Sequence, residues 1–161
     1  VLQLAQKEAI TMNVPLIIVE SDVTVQKDTF KQLIAYQNAT SRPGLIGAVT
    51  TDAHQKINYP YEKFKRAKGA FSVTERSLSF CCTLLSLDLL KAFDFKALDD
   101  TKDWYDTFIS KKALELNFTN VVVFDSPVLH KPHSSRPWKL LKYSNPIAYY
   151  WQKLLKRRDK I

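Results

Sequence analysis

Apolar residues fall in short unbroken runs separated by stretches of helical periodicity. The spacing predicts a helix over residues 1–12, where Leu2, Leu4, Ala5, Ala9 and Ile10 share one broad face, ended by Asn13 and Pro15. Pro15-Leu-Ile-Ile-Val19 is apolar at every position and of strand length. Such a run predicts a central parallel strand with helices on both faces. It ends in Glu20-Ser21-Asp22. A second helix is expected over 27–39, then a turn at Ser41-Arg-Pro-Gly44 and a strand over Leu45-Ile-Gly-Ala-Val-Thr50. Residues 53–76 have weak periodicity and read as loop and irregular hairpin. A strand is expected over 78–85, a short helix over 88–93 and an acidic loop over 97–102. Helix 104–116 would cluster Tyr105, Phe108, Ile109, Ala113 and Leu116 on one side. Val121-Val-Val-Phe124 is a further strand, with Val128-Leu129 continuing it past Pro127. Residues 131–144 read as loop, and 146–158 as a basic helix with proline in its first turn. Strands alternating with helices imply an α/β layered domain.

Composition changes this picture little. The 161 residues suffice for one sizeable core. No apolar run approaches the roughly 18 residues needed to cross a membrane. The first residues carry Lys7 and Glu8 and lack the apolar stretch of a signal peptide. The chain opens without methionine, which reads as a start inside a longer gene product or a processed end. Cys81 and Cys82 are adjacent, without a CxxC or Cys/His metal spacing. They read as small buried hydrophobes on a strand, in the reducing cytoplasm.

Charge is informative by its distribution. Residues 131–161 hold nine Lys/Arg and one acid, whereas 1–130 hold fifteen of each. The excess of +8 is therefore a property of the tail. Tyr149, Tyr150, Trp151, Leu154 and Leu155 alternate there with Lys153, Lys156, Arg157 and Arg158. That pattern suits peripheral contact with an anionic membrane, or a helix packed on the core with a solvated basic end. Basic residues with Tyr and Trp also suit single-stranded nucleic acid, but the neutral body and the lack of a nucleic-acid motif argue against that partner.

The candidate chemistry lies at the acidic pair. Glu20 and Asp22 end an apolar strand, where ligands of open α/β sheets bind. Two residues apart in extended chain, they would point the same way and could reach one metal ion, or one ion and a ribose. Hard oxygen donors suit Mg²⁺ or Mn²⁺ and, through it, a diphosphate. Carboxylates also commonly solvate strand ends, so the pair by itself is not diagnostic.

The order of the segments adds to it. Val19-Glu20-Ser21-Asp22-Val23, a helix, and Gly44-Leu-Ile-Gly-Ala-Val-Thr50 resemble the central portion of family 2 glycosyltransferases of the GT-A fold. Ser79-Phe-Cys-Cys-Thr-Leu-Leu85 with Leu89-Leu-Lys-Ala-Phe-Asp94, Trp104-Tyr-Asp106 and Ser126-Pro-Val-Leu-His130 continue the series. Glu20 departs from the usual Asp, and Tyr105 from the usual Glu. The resemblance covers residues 15–135 and implies a partial GT-A sheet over 1–144, lacking the N-terminal nucleotide-binding segment, with a basic amphipathic helix at 145–161.

It also implies an inverting, metal-dependent transfer from a nucleoside-diphosphate sugar to a saccharide or lipid-linked hydroxyl acceptor, in cell-envelope or surface-polysaccharide synthesis. Glu20 and Asp22 would hold Mn²⁺ or Mg²⁺, with His130 as a further ligand or a diphosphate contact. Asp106 would be the catalytic base, with Asp99, Asp100 and Asp103 as rivals, or else a first-turn acid favoured by the helix dipole. Arg136, with Lys131, Ser134 and Ser135, would contact the diphosphate. Tyr59, Tyr61 and Phe64 would stack on an acceptor sugar, amid Lys63, Lys65, Arg66 and Lys68, unless the segment is simply a solvated loop. His54 and His133 read as exposed loop residues. The competing reading is a non-catalytic binding or assembly module.

Overall fold

The computed structural model describes residues 1–99, 104–131 and 145–155. Residues 1–131 form one compact unit. Its elements are α1 (Leu2–Met12), β1 (Leu16–Val19), β2 (Val23–Thr24), α2 (Thr29–Ala39), β3 (Pro43–Thr51), β4 (Phe71–Val73), β5 (Cys82–Leu85), α3 (Leu87–Ala92), α4 (Tyr105–Glu115) and β6 (Thr119–His130). Short 3-10 turns occupy Glu62–Phe64 and Phe95–Ala97.

Six strands make one sheet in the order β1-β5-β3-β6-β2, with β4 also on β6. Among the described residues only β3 and β6 pair parallel; the other pairs are antiparallel. β3 is buried from Gly44 to Thr51, and β6 from Asn120 to Val123. Alternate residues feed two cores. Leu45, Val49 and Val122 join Ala9 of α1, Leu89 and Leu90 of α3, and Ile109 and Ala113 of α4. Ile46, Ala48, Val121 and Val123 join Leu33 of α2. Helices therefore cover both faces, which is why these strands read as continuous apolar runs.

β1 is not the central parallel strand its sequence predicts. It lies at one end of the sheet and pairs antiparallel with β5, Leu16 opposite Leu85 and Val19 opposite Cys82. Leu16 and Ile18 pack on the first core and Ile17 on the second. The unbroken apolar run thus reports two covered faces. It carries no information on lateral position, which depends on distant β5.

Other boundaries moved for local reasons. The strand expected over 78–85 begins only at Cys82. The segment read as loop contains β4, held by Phe71–Val123 and Val73–Val121 pairing to β6. β6 runs through Pro127, as expected. Its register against β3 shifts between the Val123 and Val128 pairs, so proline falls in the irregularity where no ladder donor is needed. α1 ends on Asn13 in the left-handed conformation, whose N–H reaches the Ala9 and Ile10 carbonyls.

A helix, α5 (Pro146–Leu155), lies in the second unit. Asn145 caps it, accepting the Ala148 N–H at 3.0 Å. Ile147, Tyr150, Trp151 and Leu155 are exposed on it. The predicted continuation to residue 158 lies outside the described residues. No helix among the described residues is long and apolar enough to cross a membrane.

Candidate metal centre

Three chain segments converge where β1 ends. Glu20 follows β1, and its N–H donates to the Cys81 carbonyl at 3.0 Å, extending the β1–β5 pairing by one residue. The chain then turns, with Val23 N–H donating to the Glu20 carbonyl at 3.1 Å. Val23 pairs with His130, and Lys131 N–H donates to the Asp22 carbonyl at 3.0 Å. The backbone therefore ties Glu20 to Cys81 and Asp22 to the end of β6.

The side chains meet inside this frame. Cys81 Sγ donates to Glu20 Oε2 at 3.2 Å and lies 3.3 Å from Ser79 Oγ. His130 Nε2 lies 3.3 Å from Asp22 Oδ2. Ligand atoms of Glu20, Cys81 and His130 are all within 4.8 Å of one another. Cys81 is 1% exposed and His130 4% exposed. Burial pushes the Cys81 thiol well up; the Ser79 bond opposes this, and the charges of Glu20 and Asp22 reinforce it.

The imidazole is oriented by its other nitrogen. His130 Nδ1 lies 2.7 Å from the Tyr59 carbonyl, which only accepts, so Nδ1 carries the proton. Nε2 is left facing the Asp22 carboxylate. Two acceptors facing across 3.3 Å repel unless a proton or a metal ion supplies positive charge. Asn58 Nδ2 donates to the His130 carbonyl at 3.1 Å, fixing the strand end further.

These groups fit a divalent cation. Two carboxylates suit Mg²⁺ or Mn²⁺, and the imidazole favours Mn²⁺ of the two. Of the expected trio, His130 lies near both Glu20 and Asp22, but the three mutually close groups are Glu20, Cys81 and His130. The acids sit on a turn, not in extended chain, so they approach the imidazole separately. Cys81, which reads in sequence as a plain buried residue, is the fourth group. It is buried as expected, but no spacing rule could reveal it, because its partners lie 61 and 49 residues away. Burial alone raises its neighbour Cys82, to about 11.

Asp106 sits in the first turn of α4, half-buried, its Oδ1 accepting Thr107 N–H at 2.7 Å. Its carbonyl accepts the Ser110 hydroxyl at 2.7 Å, and Ser110 Oγ accepts Leu78 N–H at 3.0 Å, fastening the helix start to the segment before Cys81. Its charge acts on the Tyr61 phenol, which also feels Cys81. The rival Asp99 is exposed; Asp100 and Asp103 lie outside the described residues, as do Arg136, Ser134, Ser135 and His133. His54 is exposed, as expected.

Tyr61 cannot stack on a sugar. It is 1% exposed, in the core, its burial raising the phenol far above its ordinary range. Its hydroxyl accepts Ser79 N–H at 3.2 Å and so anchors the Ser79–Cys81 turn. Phe64 is half-buried against Phe124. Tyr59 is the exposed ring of the three. A cavity of about 310 Å³, lined by residues including Tyr61, Lys63, Phe64, Arg76 and Ser79, opens beside this turn.

No protein-family model and no curated protein matches the chain. Among solved structures it is similar to A197 from STIV, with a TM-score of 0.57 at 11% identity. The match covers 81% of this chain and 65% of that one, so the chain spans just under two thirds of its neighbour's length. At that identity the likeness is one of fold: a mixed α/β sheet with flanking helices.

Proposed function

We propose that this chain is the metal-binding and acceptor half of a GT-A-type glycosyltransferase, transferring sugar from a nucleoside diphosphate to a hydroxyl. The observation that supports the reading is that His130 lies close to both acids beyond the end of β1, 3.3 Å from Asp22 and within 4.8 Å of Glu20. Glu20, Asp22 and His130 would hold a divalent ion, which would supply positive charge for the departing diphosphate. Asp106 takes the acceptor hydroxyl proton as that oxygen bonds to the anomeric carbon and the carbon–diphosphate bond breaks. This geometry of attack inverts the anomeric centre. In this reading the acceptor would enter the cavity beside Ser79, rimmed by Lys63, Phe64 and Arg76. Arg136 would follow His130 toward the diphosphate, and α5 would bring the chain to a membrane carrying a lipid-linked acceptor.

Titration of the full-length protein, including any upstream residues, with nucleoside diphosphates and Mn²⁺ tests this. Binding that needs the ion and is lost in Glu20→Gln and Asp22→Asn is expected. Failure of every nucleoside diphosphate to bind or raise Tm at saturation sinks the reading.

One observation favours a binding module instead. Among the described residues β1 has a strand partner on one side only, and such an edge accepts further strands. A partner that binds with unchanged affinity to the Glu20→Gln, Asp106→Asn double variant, in a protein lacking nucleotide binding, would establish that alternative.

A further inference from the structure

We propose that Cys81 is itself a metal ligand, completing with Glu20, Asp22 and His130 a four-donor site for a thiophilic divalent ion of the Zn²⁺ and Co²⁺ class. This rests on the same cation site as the proposed function, and on nothing about sugar transfer.

The distances carry the argument. A tetrahedral ion with N, O and S bonds of about 2.0–2.3 Å has donor–donor edges of roughly 3.3–3.8 Å. Cys81 Sγ lies 3.2 Å from Glu20 Oε2, and His130 Nε2 lies 3.3 Å from Asp22 Oδ2. The Glu20, Cys81 and His130 donors fall within 4.8 Å of one another. Glu20, Cys81 and His130 therefore stand around one centre, and Asp22, beside the His130 nitrogen, is the donor that has to turn to join them.

The support around them has the form that metal sites use. His130 donates its second ring nitrogen to the Tyr59 carbonyl at 2.7 Å, which aims Nε2 inward. Backbone bonds hold Glu20 to Cys81 and Lys131 to Asp22, so the donors are placed before an ion arrives. Cys81 and His130 are both more than nine-tenths buried, giving an ion a shielded inner side, while Glu20 and Asp22 are half-buried.

Donor type decides which ion. Mg²⁺ takes oxygen donors and gains little from imidazole or sulfur. Sulfur and imidazole favour later ions, and affinity rises from Mn²⁺ to Co²⁺. On binding, the metal–sulfur bond replaces the Cys81 S–H···Glu20 hydrogen bond. The thiol proton leaves to solvent, and the Glu20 oxygen that had accepted it is freed for the ion.

Absorption titration of the full chain with Co²⁺ tests the proposal, on wild type, Cys81→Ser and Cys82→Ala. One equivalent of Co²⁺ should give a thiolate-to-cobalt charge-transfer band in wild type and Cys82→Ala, and none in Cys81→Ser. Zn²⁺ should displace the cobalt while excess Mg²⁺ does not, and Cys81→Ser should weaken Zn²⁺ by more than about 10-fold. Cobalt binding without the band in wild type, an equal band in Cys81→Ser, or no binding overturns it. Should Cys81→Ser fail to fold, X-ray absorption of the zinc-loaded wild type decides: a sulfur neighbour at about 2.3 Å supports the assignment and its absence overturns it. The two readings fail separately. A cobalt–sulfur band without nucleotide binding leaves only this site standing; Mn²⁺-dependent nucleotide binding without the band leaves only the proposed function.

Discussion

The Tyr61 hydroxyl lies 2.8 Å from the point where a Cβ on Gly47 would stand. Thr83 Oγ1 is 3.1 Å from the same point. β3 therefore needs a residue without a side chain here, so that Tyr61 can cross it and hold the Ser79–Cys81 turn. Gly47→Ala is expected to cost about 1–3 kcal/mol as an overpacked core site. Urea unfolding measures it, and a loss below about 0.5 kcal/mol would mean that Tyr61 moves aside freely.

Gln6 should be the most sensitive position on α1. Its Nε2 donates to the Leu90 and Phe93 carbonyls at 2.8 and 2.6 Å, and its Oε1 accepts Phe95 N–H at 2.9 Å, in a buried setting. Gln6→Leu keeps the bulk and orphans those backbone groups, at about 1–3 kcal/mol each where water cannot reach. Chemical denaturation should show a loss of at least about 2 kcal/mol. An unchanged midpoint would show that water replaces the side chain.

Asp106→Asn separates the two readings of this acid. As catalytic base its loss should lower kcat by about 10²–10⁴-fold while donor binding is retained. As a first-turn helix acid it should change only stability, by roughly 0.3–1 kcal/mol. Single-turnover rates beside thermal melts distinguish the two.

Tyr36 and Asp125 supply an alkaline signature. The Tyr36 hydroxyl donates to Asp125 Oδ2 at 2.5 Å. Desolvation first, then this bond and the carboxylate charge, raise the phenol from 10.0 to about 12. A folded-state value above the unfolded one means stability that is complete below pH 10.0 and lost as pH rises toward 12. The stability difference between wild type and Tyr36→Phe should therefore shrink across that window. A difference constant with pH would show that the bond is absent in solution.

The exposed face of α5, with Ile147, Tyr150, Trp151 and Leu155, predicts binding of the full chain to anionic vesicles. Trp151→Ser should weaken it, and added salt should weaken it further. Equal affinity for neutral vesicles would remove the basic tail from the account.

Much of the architecture is legible because it is local. The apolar runs at Leu45–Val49 and Val121–Val123, and the helical faces of α1, α3 and α4, state which backbone each segment adopts and that both faces of the sheet are covered. The acidic pair at a strand end, and a histidine ending another strand, are equally visible. Each is a residue type at an element boundary, which sequence order records. Hydrophobic pattern is blind to which strand lies beside which. Only long-range pairing put β1 at the sheet end against β5, and brought Val23 beside His130. The same limit hid the role of Cys81 and misjudged Tyr61. A thiol and a phenol look the same in sequence whether they fill a core or reach a site, and what decides is the group that folding places 3 Å away. Sequence determined the elements and nominated Glu20, Asp22 and His130; tertiary structure decided that a buried sulfur stands among them, because contact chemistry depends on neighbours in space.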